Sequence, residues 1–188
     1  MDLVARVKAI LLTPKEEWVK IELEQTSPAQ LYREYIIPLA AIGPIASVIG
    51  YSVFGISLGF AGTIRIPLTR GITSGVVQFV LSLVVVYVGA LLFNALAPTF
   101  EAKADQLQAL KLSAYSSTAA WVAGIFALIP GLRTLSILGL YSLYLLWLGV
   151  PVMMKSPPEK TTGYVVAVIV CWIVLAVAVQ AIARQVAY

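Results

Sequence analysis

Histidine is absent from the chain, cysteine occurs once, and only 12% of the residues are charged. Each absence removes a class of function. Without histidine there is no Ser-His or Cys-His nucleophile pair and no histidine-bearing metal site. Cys171 cannot form an intrachain disulfide, and inside an apolar run it is expected to pack as a small apolar residue. No Gly-rich loop leads into Lys-Ser or Lys-Thr, so no phosphate loop is present. No Asp or Glu falls within the long apolar runs, which excludes an intramembrane aspartyl dyad and argues against a carboxylate-driven pump. Soluble domains are about a quarter charged. A chain with half that charge cannot cover a soluble surface of its own size. A soluble enzyme, a disordered chain and a nucleic-acid-binding domain are therefore excluded. No enzymatic activity, cofactor or metal is expected.

What the chain has is apolar length. It is 60% hydrophobic over 188 residues, with a mean hydropathy of +0.92. Five runs reach the 17–25 residues that cross a bilayer core of about 30 Å. They cover residues 35–60, 72–97, 112–130, 132–154 and 163–183. Pro130-Gly131 is a turn signal between the third and fourth, which should fold as a tight antiparallel hairpin. The predicted fold is all-α: a polytopic membrane bundle of five transmembrane helices, with one or two amphipathic amino-terminal interfacial helices. Residues 1–34 form the cytoplasmic amphipathic segment and 35–188 the membrane domain.

Basic residues set the orientation. Arg6, Lys8, Lys15, Lys20, Arg33, Lys103, Lys111, Lys155 and Lys160 share one side, against Arg65, Arg70, Arg133 and Arg184 on the other. All nine acidic residues lie on the first side. The amino terminus is expected in the cytoplasm and the carboxyl terminus outside. The start Met-Asp-Leu-Val-Ala-Arg lacks the pattern of a cleaved signal peptide and is read as retained.

In the first segment, Leu3, Val4, Val7, Ile10 and Leu11 recur at helical spacing. Thr13-Pro14-Lys15-Glu16 reads as a capping box, with Glu16 reaching back to the cap amide. Ser27-Pro28-Ala29-Gln30 repeats the pattern. Two short helices follow, either on the membrane surface with Trp18 as interfacial anchor, or packed on the cytoplasmic ends of the bundle. Glu16, Glu17, Glu22, Glu24 and Glu34 read as a solvated face. Ala104, Leu107, Leu110 and Ala114 extend the third span backward as a helix, and Asp105 and Lys111, six apart, each need another partner. Gly55 and Gly59, Gly71 and Gly75, and Ala120 and Gly124 have the spacing that favours close helix packing. Pro38 and Pro44 should kink the first span, and Gly149-Val150-Pro151 should kink or unwind the fourth. Polar groups concentrate in the cytoplasmic half. A candidate seam has Asp105, Lys111 and Tyr115 as a gate, Asn94 and Tyr141 as lining, and Tyr144 one turn beyond. The same groups could equally hold the bundle together by interhelical hydrogen bonds.

Several stretches resemble the Yip family of Ypt/Rab-interacting membrane proteins, in its prokaryotic branch. They are Pro14-x-x-x-Trp18, Tyr35-Ile-Ile-Pro38-Leu39, Ala104-Asp105 with Lys111, Ala114-Tyr115, and Leu128-Ile129-Pro130. The last is Tyr141-Ser-Leu-Tyr144-Leu-Leu-Trp147-Leu-Gly149-Val-Pro151. The resemblance implies five spans, a cytoplasmic amino terminus and an external carboxyl terminus, here in a prokaryotic inner membrane. Eukaryotic members are linked to vesicle traffic and Rab GTPases through a long polar amino-terminal region with an Asp-Leu-Tyr-Gly-Pro-type motif. This chain has 34 residues there and lacks the motif, which argues against Rab-type GTPase binding. Two functions remain. One is a non-enzymatic scaffold that organises membrane through helix association, with lipid, its own copies or other membrane proteins as partners. The other is a permeation protein for a small solute, ion or lipid.

The charge count predicts that Arg65→Cys is modified by an impermeant thiol reagent in intact cells and Lys160→Cys is spared. Labelling of Lys160→Cys from outside overturns the five-span arrangement.

Overall fold

A computed structural model of the chain describes residues 2–57 and 62–186, with the backbone alone for 56, 57, 130 and 175–186. Helix α1 covers Leu3–Leu12 and α2 covers Pro14–Leu23. Asp2 caps α1 by accepting from the amides of Val4 and Ala5. Pro14 opens α2 as expected, but the capping box does not form. Thr13 ends α1 as well as starting α2, and its hydroxyl donates back to the carbonyl of Ala9. Ser27 does act as a cap, accepting from the amide of Gln30. That cap and Pro28 start the next helix, α3 (Pro28–Phe54), seven residues before the predicted span. Inside α3 the turns Tyr32–Ile36 and Gly50–Phe54 are π-helical. The first lies directly before Pro38, which has no N–H to give its own turn. Gly55, at φ 77°, ends the helix. Gly59 and Phe60 lie outside the described residues.

A two-residue antiparallel ladder follows, pairing Ile56 with Ile64 and Ser57 with Thr63. Helix α4 (Leu68–Phe100) returns along α3. The Gly71 and Gly75 spacing holds here. A Cβ on either would lie 2.8 Å from the Ser52 hydroxyl or 2.6 Å from a Val48 methyl, so α3 sits against the glycine face. The second span, expected at 72–97, is longer at both ends.

The third apolar run departs most from expectation. It is not one helix over 112–130. Helix α5 (Gln106–Ser116) begins in the predicted backward extension and stops at Ser117, and α6 (Thr118–Ala123) restarts it. The cause is local. The hydroxyls of Ser116 and Ser117 both donate to the carbonyl of Ser113, and that of Thr118 donates to Tyr115. Such back-bonding competes with the helical amides and bends the axis. The run ends as a tighter 3-10 turn over Gly124–Leu128, with Ile129 extended before Pro130. Residues Pro130–Leu140 wind back as 3-10 helix, and the amide of Leu132 closes the turn on the carbonyl of Ile129. The two segments pack against each other as the Pro-Gly signal predicts. A Cβ on Gly124 would lie 2.9 Å from the Cα of Gly43, so the turn touches α3 backbone to backbone.

Helix α7 (Tyr141–Met153) continues through Pro151, so the unwinding expected there does not occur. Helix α8 (Pro158–Val186) contains the fifth apolar run. Among the described residues, three helices are long and apolar enough to cross a membrane: Pro28–Phe54, Leu68–Phe100 and Gly131–Met153. The fold is all-helical apart from the two-residue ladder. Its core gathers at the end where α1 and α2 lie. Ile10, Trp18 and Ile21 are fully buried there with Tyr35, Leu112, Leu145, Met153 and Tyr164. Of the two placements open for the short helices, the structure shows packing on the bundle. Full burial of Ile10 and Ile21 contributes about 1.5–3 kcal/mol each.

Gly149 on α7 makes the seat for Trp18. A Cβ there would lie 2.7 Å from the indole and from a Leu112 methyl. Gly149→Ala should destabilise the protein by about 1–3 kcal/mol, read as a lower melting temperature in detergent. Removing the indole as well, in Gly149→Ala with Trp18→Leu, should recover part of the loss. An unchanged melting temperature for the single variant overturns this seating.

Candidate functional site

The N-terminal helices dock through charge as well as apolar surface. Arg6 on α1 reaches across to α2. One guanidinium nitrogen donates to Glu17 at 2.5 Å, and the other to Glu24 at 2.5 Å. Glu17 also accepts from Lys20 at 3.2 Å. The Glu17 side chain is only 5% exposed and that of Arg6 14%, so the pair is removed from water. Arg6 also stands 6.0 Å from the ring centroid of Tyr115, a cation–π contact. The acidic residues of α2, read as a solvated face, are therefore a misreading at Glu17. Its position places it toward α1, where Arg6 waits.

Lys111, on α5, is 2% exposed. Its ammonium donates to the carbonyls of Ile21 at 2.9 Å and Glu24 at 2.6 Å, and Glu22 lies at 3.5 Å. These are the carbonyls at the end of α2, which its own helix leaves without amides. One cation thus terminates a helix belonging to another part of the chain, at the negative end of its dipole. Gln108 adds a donor to the carbonyl of Glu22 at 3.2 Å. Lys155 pairs with the Glu22 carboxylate at 3.0 Å.

Asp105 caps α5, accepting from Leu107 at 3.0 Å and Gln108 at 3.1 Å. Asp105 and Lys111 each have a separate partner, as their spacing requires. Tyr115 is buried with its ring 4.3 Å from that of Tyr35, whose hydroxyl bonds Thr118 at 2.6 Å. Trp18 meets Tyr115 edge-on at 6.3 Å. The indole, expected as an interfacial anchor, lies inside the protein, because α2 is held down over Gly149 and Leu112. Tyr141 donates to the carbonyl of Leu11 at 3.0 Å, so it secures the end of α1. The Tyr144 ring lies tilted against that of Tyr141, centroids 5.3 Å apart, and stays 42% exposed. Asn94, on α4, has a buried Oδ1 with no hydrogen-bond partner.

The structure thus gathers Lys111, Tyr115, Trp18 and Tyr141 beneath the N-terminal helices, with Asp105 starting the helix that carries Lys111. It places Tyr144 at the margin and ties Asn94 to none of them through Oδ1. The seam's members face the docked helices. Arg6, Glu17, Glu24 and Thr118 are not among the residues that the sequence marks as a site, and Tyr35 is marked only by the family resemblance. The available signal was the seven-residue spacing of Glu17 and Glu24, which puts both on one face of α2. A smaller cavity of about 370 Å³ lies beside Ser113, Ser116 and Ser117, with Phe93, Leu146 and Trp172 among its walls. Those three hydroxyls already donate to backbone carbonyls. Among the described residues, no group of three or more His, Cys, Asp or Glu could hold a metal ion. Chemically the cluster pairs its charges within the protein, while the Trp18 Nε1 and Gln108 Oε1 atoms are buried without a hydrogen-bond partner among the described residues.

Arg6→Met leaves Glu17 buried with only Lys20 as a cation. The expected loss is about 3–5 kcal/mol, seen as a lower melting temperature and faster amide exchange over residues 3–24. Adding Glu17→Gln to Arg6→Met should restore part of it. Equal melting temperatures for Arg6→Met and the parent protein would show that the pair contributes nothing.

The family model of the Yip1 domain matches residues 8–179, which takes in α2, the docking cluster apart from Arg6, and nearly all of the helical bundle. No curated protein and no solved structure matches the chain. The motifs that placed Trp18, Tyr35, Lys111, Tyr115 and Tyr141 are the positions that converge at the docking site. The chain belongs to the Yip family.

Proposed function

We propose that this protein is a non-enzymatic membrane scaffold that organises membrane by associating through helix faces, with copies of itself or with other membrane proteins. In this reading the bundle crosses the membrane five times, with the amino terminus in the cytoplasm and the carboxyl terminus outside. The third crossing is made by the bent pair α5 and α6 with the following 3-10 turn. The observation that carries the reading is the use of Lys111, Tyr115 and Tyr141 in docking α1 and α2, where they are bonded or packed within the protein rather than left to line a passage. The apolar surface left over supports the same reading. Val76, Val77, Val80, Val84 and Val85 stand exposed along α4, and Leu143 and Trp147 along α7. In a bilayer such faces meet lipid tails or another helix.

The experiment uses purified protein in liposomes. Val80→Cys should give a covalent dimer with a short thiol cross-linker, at a yield unaffected by dilution with lipid over a severalfold range. Liposomes carrying the protein should pass ions, small solutes and labelled lipid no faster than protein-free ones. Flux above that baseline, abolished by Asn94→Leu with Tyr141→Phe at unchanged melting temperature, overturns the scaffold in favour of a permeation protein.

A further inference from the structure

The opposite end of the bundle has a different chemistry. There α3, α4 and the segment Pro130–Leu140 surround a cavity of about 770 Å³. Its walls include Arg70, Arg133, Gln78, Ser47, Ser74 and Thr134. No Asp or Glu occurs in residues 55–72 or 124–141. Arg70 has no ion pair or hydrogen bond through its side chain among the described residues. Arg133 lies 4.6 Å from the ring centroid of Tyr51, a contact that orients the guanidinium and leaves its N–H donors unused. Helix α4 starts at the same place. Its cap, Pro67, offers no side-chain acceptor to the first amides, so the positive end of the dipole adds to the two cations. Beside the cavity, against Gly71, the Ser52 hydroxyl is buried with no hydrogen-bond partner. Arg70 and Arg133 are both exposed, and no carboxylate of the described residues neutralises either. What the cavity lacks is an anion, and the planar fork of arginine fits a phosphate in particular.

A second feature says what else the ligand carries. An apolar groove of about 360 Å³ runs along the outside of α3 and α4, between Ile45, Ile49, Ile72, Val76 and Phe79. It shares Val48 and Gly75 with the polar cavity. Ile45, Ile49, Ile72 and Val76 are exposed on it, where the bilayer would lie. The polar cavity extends from Arg70 to Gln78, eight residues and about 12 Å along α4. A cationic polar chamber on one side of the Val48–Gly75 contact, and an apolar groove on its lipid side, match an amphiphile with an anionic head.

We infer that this site binds an anionic phospholipid. Arg70 and Arg133 take the phosphate, the serine and threonine hydroxyls take the rest of the headgroup, and one acyl chain lies in the Ile45–Val76 groove. The inference stands apart from the scaffold reading, since it uses neither the docking cluster nor helix association.

The test is native mass spectrometry of delipidated protein released from detergent, with phosphatidylglycerol, diacylglycerol or inorganic phosphate added. Phosphatidylglycerol should be retained in one-to-one stoichiometry and diacylglycerol should not. Arg70→Gln with Arg133→Gln should weaken retention about tenfold or more at an unchanged melting temperature. Should that double variant fail to fold, Arg70→Gln alone is read in the same way. Ile45→Trp, which fills the groove from its exposed side, should weaken phosphatidylglycerol and leave inorganic phosphate unaffected. Phosphatidylglycerol retention unchanged by loss of the arginines means annular lipid only and overturns the site. Phosphate bound as tightly as phosphatidylglycerol, with Ile45→Trp silent toward both, overturns the lipid in favour of a free anion.

Discussion

A lysine ammonium buried beneath a foreign helix end is an awkward thing to build, and the near end of this molecule is arranged around it. Lys111 has no carboxylate at bonding distance. Backbone carbonyls at the close of α2 solvate it instead. For those carbonyls to be in place, α2 must lie flat across α5 and end at Glu24. For α2 to pack along α7 with its end over Lys111, Trp18 must enter the gap over Gly149, and Arg6 must neutralise Glu17 as that carboxylate leaves water. Remove the ammonium and α2 ends in unsatisfied acceptors. Remove α2 and a bare charge is left inside an apolar bundle. The two requirements support one another, which is how buried polar groups specify a single arrangement rather than merely add to stability.

How much of this the sequence discloses depends on the range of the interaction. Apolar length and the Pro130-Gly131 turn are local, and they locate the membrane helices and the hairpin. The caps at Ser27 and Asp105 are local too, although only Ser27 was read as one. Thr13 looks like a capping box, yet it closes one helix while opening the next, and its hydroxyl can serve only one of them. The break at Ser117 was visible as a run of hydroxyls, but hydropathy summed over the whole stretch passed across it. Lys111 shows a need for a partner without naming it, because the partner is backbone 87 residues away, and backbone carries no sequence signature. Glu17 fails for the same reason. A charged residue on an amphipathic helix reads as solvated until a cation from another helix is brought against it.

The two ends of the bundle treat charge in opposite ways. At the near end acids and bases are matched inside the protein, Arg6 with Glu17 and Glu24, and Lys155 with Glu22. At the far end there are only bases. Segregation of acids to one side leaves Arg70 and Arg133 to find complement outside the chain.

The hydrogen bond from Tyr141 to Leu11 joins residues 130 apart, and that separation sets an order in time. Leu11 leaves the ribosome first and must wait for Tyr141 through on the order of ten seconds of synthesis. During that interval α1 and α2 have neither the ammonium nor the tyrosine that later ends them. The two helices are then seated late, although they are made before the residues that hold them.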